Sequence, residues 1–124
     1  MRECAEEASL PESLVGPLIK FVSVITYNYR TATGWVQPEV QYIYDLHLPA
    51  DVVPRPNDGE VAGFELMGVD EVVRRMVDGE FKPNCGVCLV DFFLRHGFLN
   101  PESDARFLEV ASRLRARLTL PGPA

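Results

Sequence analysis

The chain has 124 residues, of which 47% are hydrophobic, enough for one domain with an apolar core. Its net charge of −6 argues against nucleic acid or an anionic membrane surface as the main partner. It contains no apolar run of about 18 residues and no basic leader, and its odd number of cysteines favours a reduced compartment. We therefore expect a soluble, cytoplasmic protein with one domain over residues 1–119 and a flexible tail over 120–124.

The first predicted helix covers residues 2–9 and concentrates acidic side chains on one face. Glu3, Glu6 and Glu7 are spaced i, i+3 and i+4, which brings them together on a helix. Such carboxylates repel one another, and a hard cation such as Mg²⁺, which prefers carboxylate, water and phosphate oxygens, would relieve the repulsion. Arg2 precedes Glu6 by one helical turn and is positioned to steady its carboxylate. The alternative is a solvated helix end with acids favoured by the helix dipole, and both interpretations stay open on these residues alone.

A hairpin is predicted next, after a short turn or helix over residues 12–17. Residues 21–30 and 35–48 are rich in β-branched and aromatic side chains, and residues 31–34 form the turn between them. Apolar and mostly polar positions alternate along the second strand, and its apolar side consists of Val40, Tyr42, Tyr44, Leu46 and Leu48. The pattern predicts antiparallel strands with one buried face and one mostly polar face. Pro38 indicates an irregular or edge position at the start of the second strand.

The second half of the chain reads as a short strand and three helices. A proline-rich loop over residues 49–58 leads to a third strand at 61–67. Helices are predicted at 69–77, at 83–96 and, capped by Asn100 and Pro101, at 101–118. Periodicity alone also allows a buried strand within 83–96, but the length and flanks favour a helix. Their expected inner faces are Val72, Val73, Met76 and Val77, then Cys85, Cys88, Leu89 and Phe92, and finally Phe107, Val110, Leu114 and Leu118.

Two further groups of residues have both a functional and a structural interpretation. Cys85 and Cys88 have the spacing of a zinc or redox pair, but no second pair or suitably spaced histidine accompanies them. On an apolar helix face such thiols are more often core residues. Aromatic side chains of the hairpin are able to stack on a heteroaromatic ligand, although most such residues serve packing; they are Tyr27, Tyr29, Trp35, Tyr42 and Tyr44.

Two sets of segments carry a family resemblance. Residues 2–10, Arg-Glu-Cys-Ala-Glu-Glu-Ala-Ser-Leu, resemble the second half of a Nudix box, the metal-binding helix of hydrolases acting on a diphosphate linked to another moiety. Further segments resemble the thiamine pyrophosphokinase-related Nudix branch and cover much of the remaining chain in order; they are residues 37–42, 53–61, 79–84, 94–97 and 100–102.

The resemblance implies a fold, an activity and a set of site residues. The fold would be an α/β (α+β) Nudix-type α/β/α sandwich with a mixed sheet. The activity would be Mg²⁺- or Mn²⁺-dependent cleavage of the pyrophosphate bond of a small organic diphosphate, including damaged or oxidised thiamine diphosphate. Glu3, Glu6 and Glu7 match the metal-binding glutamates and Arg2 matches the arginine that orients one of them. Glu60 stands where some members place a further ligand or a general base, so the expected catalytic residues are Arg2, Glu3, Glu6 and Glu60.

The departures from the family pattern lead to separate expectations. The Gly and first Glu of the box, and the strands before it, have no counterpart ahead of Arg2, so we expect a truncated domain whose sheet is incomplete at the N-terminus. Such a sheet has an exposed edge. Ser9 replaces the Gly of the pattern, where a positive φ would be easier for Gly. The alternative function is a non-catalytic Nudix-like remnant or interaction module, and we expect little turnover from this chain itself.

Overall fold

The protein is described over residues 1–118 by a computed structural model that contains both helices and a β-hairpin. The elements in chain order are α1 Arg2–Ala8, α2 Glu12–Leu18, β1 Ile19–Arg30, β2 Val36–Leu46, α3 Val69–Val77, α4 Pro83–Arg95 and α5 Phe107–Arg113. The predicted helices at 2–9, 69–77 and 83–96 are confirmed, as is the mixed α and β class with an incomplete sheet. The predicted tail at 120–124 lies outside the described residues. Within those residues, every helix is too short or too polar to cross a bilayer.

The hairpin closes through a turn that the sequence predicts correctly. Thr31 N–H donates to the Trp35 carbonyl oxygen at 2.9 Å, and Gly34 N–H donates to the Thr31 carbonyl oxygen at 2.9 Å. Gly34 has a φ of 87°, a conformation that a Cβ atom disfavours. Because so short a reversal joins them, β1 and β2 are antiparallel.

Apolar and polar residues alternate along β2 as predicted, but the buried face of the strand is the more polar one. The exposed side chains of β2 include the apolar residues Val40, Tyr42 and Tyr44. Gln41 and Ile43, on the other side, are half-buried, and Ser23 and Ile25 of β1 are buried. Ser23 donates its hydroxyl proton to Asp91 of α4, so α4 contacts this side of the sheet. Burial in a strand is decided by which face another element covers, and apolar content alone does not identify that face.

Residues 61–67 form no strand, so the predicted third strand is wrong. Over residues 1–118 the sheet has the order β1-β2, and Thr26 and Arg115 add a single parallel bridge. A strand needs a neighbour for its N–H and C=O groups, and β-propensity mainly expresses fit to a pleated, half-buried surface. Leu66 illustrates the lack of such a surface, because its side chain is fully exposed.

The C-terminal helix α5 is shorter at both ends than the predicted 101–118, so that prediction is wrong in extent. The Asn100 side chain accepts hydrogen bonds from the backbone N–H groups of Glu102 and Ser103. Asn100 therefore caps a turn and not the start of a helix. After α5, Thr26 N–H donates to the Leu114 carbonyl oxygen at 3.0 Å. Ala116 N–H donates to the Thr26 carbonyl oxygen at 3.1 Å. Backbone pairing with β1 therefore replaces the helical hydrogen bonds that the pattern predicted.

The described residues divide into two compact units. The first comprises residues 1–22 and 44–74, and its core contains Ala8, Leu10 and Val15, with Cys4, Leu14, Ile19, Leu46, Leu48 and Val52 packed around them. The second comprises residues 23–43 and those from 75 onward, and its buried apolar residues are Ile25, Phe93 and Leu114. The single domain expected over residues 1–119 stays a prediction.

The inner faces of α3 and α4 are rotated from the predicted ones. In α3, Val73 and Val77 are exposed, although both were expected to face inward. In α4, Cys85 is exposed, whereas Asp91 and Phe93 are buried. The spacing of apolar residues identifies a broad stripe along a helix but not the centre of that stripe. In α4, the side that faces inward is the one that carries the buried Asp91, because this carboxylate lies against its hydrogen-bond partners.

Asp91 is 1% exposed, and its carboxylate is fully engaged within the second unit. Its Oδ1 accepts a hydrogen bond from Ser23 Oγ at 2.8 Å, and its Oδ2 accepts one from Arg95 Nε at 2.7 Å. Arg115 Nη2 lies 3.9 Å from Oδ1 and donates to Ser23 Oγ at 3.1 Å. A buried charge is tolerated only with such partners, so this group joins β1, α4 and the segment after α5.

Replacing Asp91 is expected to be strongly destabilising. Asp91→Ala leaves Arg95, whose side chain is 20% exposed, without its buried partner, and we expect a loss of about 3 kcal/mol in the free energy of unfolding. Glu109→Ala removes the exposed pair with Arg113 and should cost less than about 1 kcal/mol. Urea unfolding of both variants measures the difference. Equal losses would show that the Asp91 group contributes no more than a surface pair.

Candidate metal centre

The C-terminal end of α1 is shaped by Ser9, which adopts the left-handed conformation with φ 56° and ψ 33°. Leu10 N–H donates to the Cys4 carbonyl oxygen at 3.0 Å, which closes the helix end. A non-glycine residue in this conformation costs roughly 1–2 kcal/mol. Ser9 therefore makes the turn that the Gly of the resembled pattern would make, at an energetic cost that its side chain partly offsets.

The loop over residues 55–57 is hydrogen-bonded to that helix end. Ser9 Oγ donates to the Arg55 carbonyl oxygen at 3.0 Å, and Arg55 N–H donates to the Ala8 carbonyl oxygen at 2.9 Å. Asn57 Nδ2 donates to the Glu6 carbonyl oxygen at 3.1 Å. The last carbonyl groups of a helix lack partners within the helix, so the loop supplies them. These bonds hold the residues that follow, 58–60, beside α1.

The result is a cluster of three carboxylates, which we call the acidic cluster: Glu7, Asp58 and Glu60. One carboxylate oxygen from each lies within 4.8 Å of those of the other two. Glu60 N–H donates to Asp58 Oδ1 at 3.0 Å, which orients the loop carboxylate. Glu7 is half-buried and the two loop acids are exposed. Carboxylate oxygens are the donors that hard divalent cations prefer, so the cluster fits Mg²⁺ or Mn²⁺ by its chemistry.

The acidic residues of α1 do not all join this cluster. Glu3 lies beside Glu7, close enough for its carboxyl group to raise the pKa of Glu7. Glu6 instead contacts Arg2, with Arg2 Nε 3.2 Å from its Oε1, and Arg2 Nη2 lies 3.9 Å from Glu3 Oε1. The contact between Arg2 and Glu6 expected from their spacing is thus present. The structure separates Glu6 from Glu7, and the catalytic and metal-binding roles of these residues stay predictions.

Glu60 and Asp58 show what the sequence indicated and what it missed. Glu60 was singled out through the family resemblance, and the structure brings it to Glu7. Asp58 was not singled out. Its signal was the acidic run Asn-Asp-Gly-Glu over residues 57–60, but such runs are usual in solvated loops. Only the hydrogen bonds between the loop and α1 distinguish this run from an ordinary turn.

Crowding of negative charge changes the protonation of Glu7. The hydrogen bond with the Glu3 carboxyl raises the pKa of Glu7 above its ordinary value of 4.5, and burial adds to the effect. The negative charges of Glu3, Glu60 and Asp58 raise this pKa further. Without a cation the cluster therefore retains a proton more readily than isolated carboxylates do, and a bound cation would compete with that proton.

Removing the charge of Glu7 should stabilise the metal-free protein. The pKa of Glu7 is higher in the folded protein than in the unfolded chain. The contribution of Glu7 to the free energy of unfolding is therefore complete below about pH 4.5 and is lost as the pH rises through the folded-state pKa. Glu7→Gln should therefore raise the melting temperature at pH 7 in EDTA, with no gain at pH 4. Glu12→Gln, in the first turn of α2, is the matched control and should give no gain at either pH. A lower melting temperature for Glu7→Gln at pH 7 would contradict the repulsion described above.

Comparison with known proteins gives relatives over nearly the whole chain. No protein-family model matches it. It is 38% identical over 131 aligned residues to an uncharacterized protein of Saccharomyces cerevisiae, covering 98% of this chain and 38% of the relative. It is 35% identical over 119 residues to Nudix hydrolase 20, chloroplastic, of Arabidopsis thaliana, covering 94% of this chain and 31% of the relative.

A second Arabidopsis thaliana protein, Nudix hydrolase 24, chloroplastic, is 36% identical over 116 residues, covering 93% of this chain and 31% of the relative. The chain thus spans about a third of the length of the curated relatives that it matches. The similarity to both proteins extends over more than nine-tenths of the chain. Over its aligned part, the chain is therefore similar to two proteins that are named Nudix hydrolases.

Proposed function

We propose that the chain takes part in metal-dependent hydrolysis of the pyrophosphate bond of a small organic diphosphate. The observation that carries the proposal is the acidic cluster of Glu7, Asp58 and Glu60, held at the end of a helix whose sequence resembles the Nudix box. Similarity to two Nudix hydrolases over more than nine-tenths of the chain supports the same activity.

Glu7, Asp58 and Glu60 are the residues that would hold Mg²⁺ or Mn²⁺. When bound, such a cation neutralises phosphate charge and lowers the pKa of a coordinated water. Glu3 lies beside Glu7 and would help to position it, and Arg2 pairs with the carboxylate of Glu6 outside the cluster. This assignment keeps Glu7 as a metal ligand, adds Asp58, and gives Arg2, Glu3 and Glu6 positioning roles.

The substrate within this class is proposed to be damaged or oxidised thiamine diphosphate. The support is the resemblance of residues 37–42, 53–61 and 79–84 to the thiamine pyrophosphokinase-related branch. Residues 53–61 include the loop that supplies Asp58 and Glu60, so the branch-specific segment and the metal-binding acids coincide. A cytoplasmic location is part of the same proposal.

A non-catalytic metal-binding module is the second candidate. It is favoured by the exposure of Asp58 and Glu60, which lie on a loop without regular secondary structure. Metal-assisted hydrolysis needs its ligands held within about 0.5 Å of the productive geometry. Ligands on an exposed loop meet this condition less readily than ligands on helices or strands.

Binding of Mn²⁺ distinguishes the acidic cluster from the ligand set Glu3, Glu6 and Glu7 that was expected on α1 alone. Glu7→Gln and Asp58→Asn should each weaken Mn²⁺ binding at least about tenfold, because even residues behind the ligands of a metal site contribute that much. Glu6→Gln should change the affinity less than about threefold, because Glu6 lies with Arg2 outside the cluster. Water-proton relaxation enhancement during titration with Mn²⁺ measures all three. If Glu6→Gln abolished binding and Asp58→Asn did not, the assignment of ligands would be wrong.

Turnover tests the hydrolase proposal itself. With Mg²⁺ and oxidised thiamine diphosphate, the chain should release the monophosphate slowly, since two of its three ligands lie on an exposed loop. Glu7→Gln should lower that rate at least about a hundredfold, whereas Glu12→Gln should leave it unchanged. Chromatographic separation of monophosphate and diphosphate gives the rates. Absence of metal-dependent turnover on any organic diphosphate, with Mn²⁺ binding intact, would overturn the enzymatic proposal and favour the binding module.

A further inference from the structure

Two of the three cysteines lie in the first two turns of α4, and the apolar core position expected for them describes only one. Cys88 is half-buried, whereas Cys85 is exposed, and both are free thiols. An exposed thiol contributes little to packing and is accessible to reagents in solution. Packing therefore does not explain the pair, and its chemistry remains to be considered.

The spacing of the two cysteines on α4 brings their sulfur atoms close together. Residues three apart lie on the same face of a helix, with Cα atoms about 5 Å apart. Disulfide bonds join cysteines whose Cα atoms are roughly 4.4–6.8 Å apart. Cys85 and Cys88 meet this condition because both lie within the helix Pro83–Arg95. A bond between their sulfur atoms therefore requires a change of side-chain rotamers and not a rearrangement of the fold.

The surroundings of the two thiols give them different reactivity. Burial raises the pKa of the Cys88 thiol, and the negative charges of Cys85 and Asp91 raise it further. Cys88 Sγ donates to Gln41 Oε1 of β2 at 3.4 Å. Because the thiolate is the reactive form, a half-buried and protonated thiol is a poor target for a reagent in solution. Cys85 is thus the sulfur that such a reagent reaches first.

We propose that Cys85 and Cys88 form a reversible redox site, at which a hydroperoxide converts the two thiols to an intrahelical disulfide. The Cys85 thiolate attacks the terminal oxygen of the hydroperoxide, the O–O bond breaks, and an alcohol leaves, or water when the oxidant is hydrogen peroxide. The Cys88 sulfur then attacks the sulfenic acid on Cys85. The S–S bond forms as the S–O bond breaks, and water leaves. Two electrons pass from the sulfurs to the peroxide, and both thiol protons end on the departing oxygen atoms.

The disulfide is reducible and changes one contact of α4. Because Cys85 is exposed, an external thiol reaches the bond and reverses it by thiol–disulfide exchange. A disulfide sulfur carries no proton, so oxidised Cys88 no longer donates to Gln41. The acidic cluster belongs to the first unit and the redox site to the second. The redox step uses none of the acidic residues, so it rests on neither metal binding nor hydrolysis.

Counting thiols on the intact chain tests the proposal. After brief treatment with hydrogen peroxide, the unfolded chain should react with Ellman's reagent at one thiol, that of Cys4, in place of three. Its mass should be lower by two hydrogens, and the peptide that contains both Cys85 and Cys88 should carry this loss. Dithiothreitol should restore all three thiols.

Serine variants separate the roles of the three cysteines. Cys88→Ser lacks the second thiol, so sulfenic acid should accumulate at Cys85 and be trapped by dimedone. Cys85→Ser should be oxidised at least about tenfold more slowly, because the thiol of Cys88 is half-buried. Cys4→Ser is the matched control and should form the disulfide at the rate of the unchanged chain, since Cys4 packs against the core of the first unit. Melting temperatures show whether each variant is folded.

Three results would overturn the proposal. The first is the survival of all three thiols at a peroxide concentration that fully oxidises free glutathione. The second is oxidation of Cys85 to sulfinic acid while Cys88 stays reduced, because the two sulfurs would then not meet. The third is a disulfide between two copies of the chain, seen as a dimer on a non-reducing gel, in place of one within α4.

Discussion

The candidate site depends on one constraint: the last carbonyl groups of α1 need hydrogen-bond donors from outside the helix. A helix leaves these groups without internal partners, and here the loop over residues 55–57 supplies donors to the carbonyls of Glu6 and Ala8. Ser9 contributes by adopting a left-handed conformation and by donating to Arg55. As a consequence, two acids separated from α1 by about fifty residues of chain reach Glu7. The positions of the three carboxylates therefore depend on these hydrogen bonds between the loop and α1.

The second unit is organised around a buried charge in a comparable way. Asp91 is inaccessible to water and is held by Ser23 and Arg95, with Arg115 close by. The bonds between Thr26 and the segment after α5 run beside this group. Three parts of the chain that are distant in sequence are thereby joined through polar contacts, with comparatively few fully buried apolar side chains. Loss of one partner in such a group leaves an uncompensated charge, which explains its importance for stability.

The acidic cluster and the Asp91 group use charge differently. In the cluster, like charges are brought together and the pKa of Glu7 rises, which is the arrangement that a divalent cation relieves. In the Asp91 group, the carboxylate is instead paired with Arg95 and accepts a hydrogen bond from Ser23.

The sequence by itself determined the local elements, because capping, turn chemistry and helical spacing act over a few residues. The hairpin turn at Gly34 and the helices α1, α3 and α4 were predicted for this reason. The family resemblance also singled out Glu7, in the segment that resembles the Nudix box, and Glu60, in the loop before residues 61–67. The tertiary structure decided which face of β2 is covered, that residues 61–67 lack a partner strand, and that the chain leaves α5 to pair with Thr26. It also decided that Asp58, and not Glu6, lies with Glu7, because that proximity depends on hydrogen bonds between segments far apart in the chain.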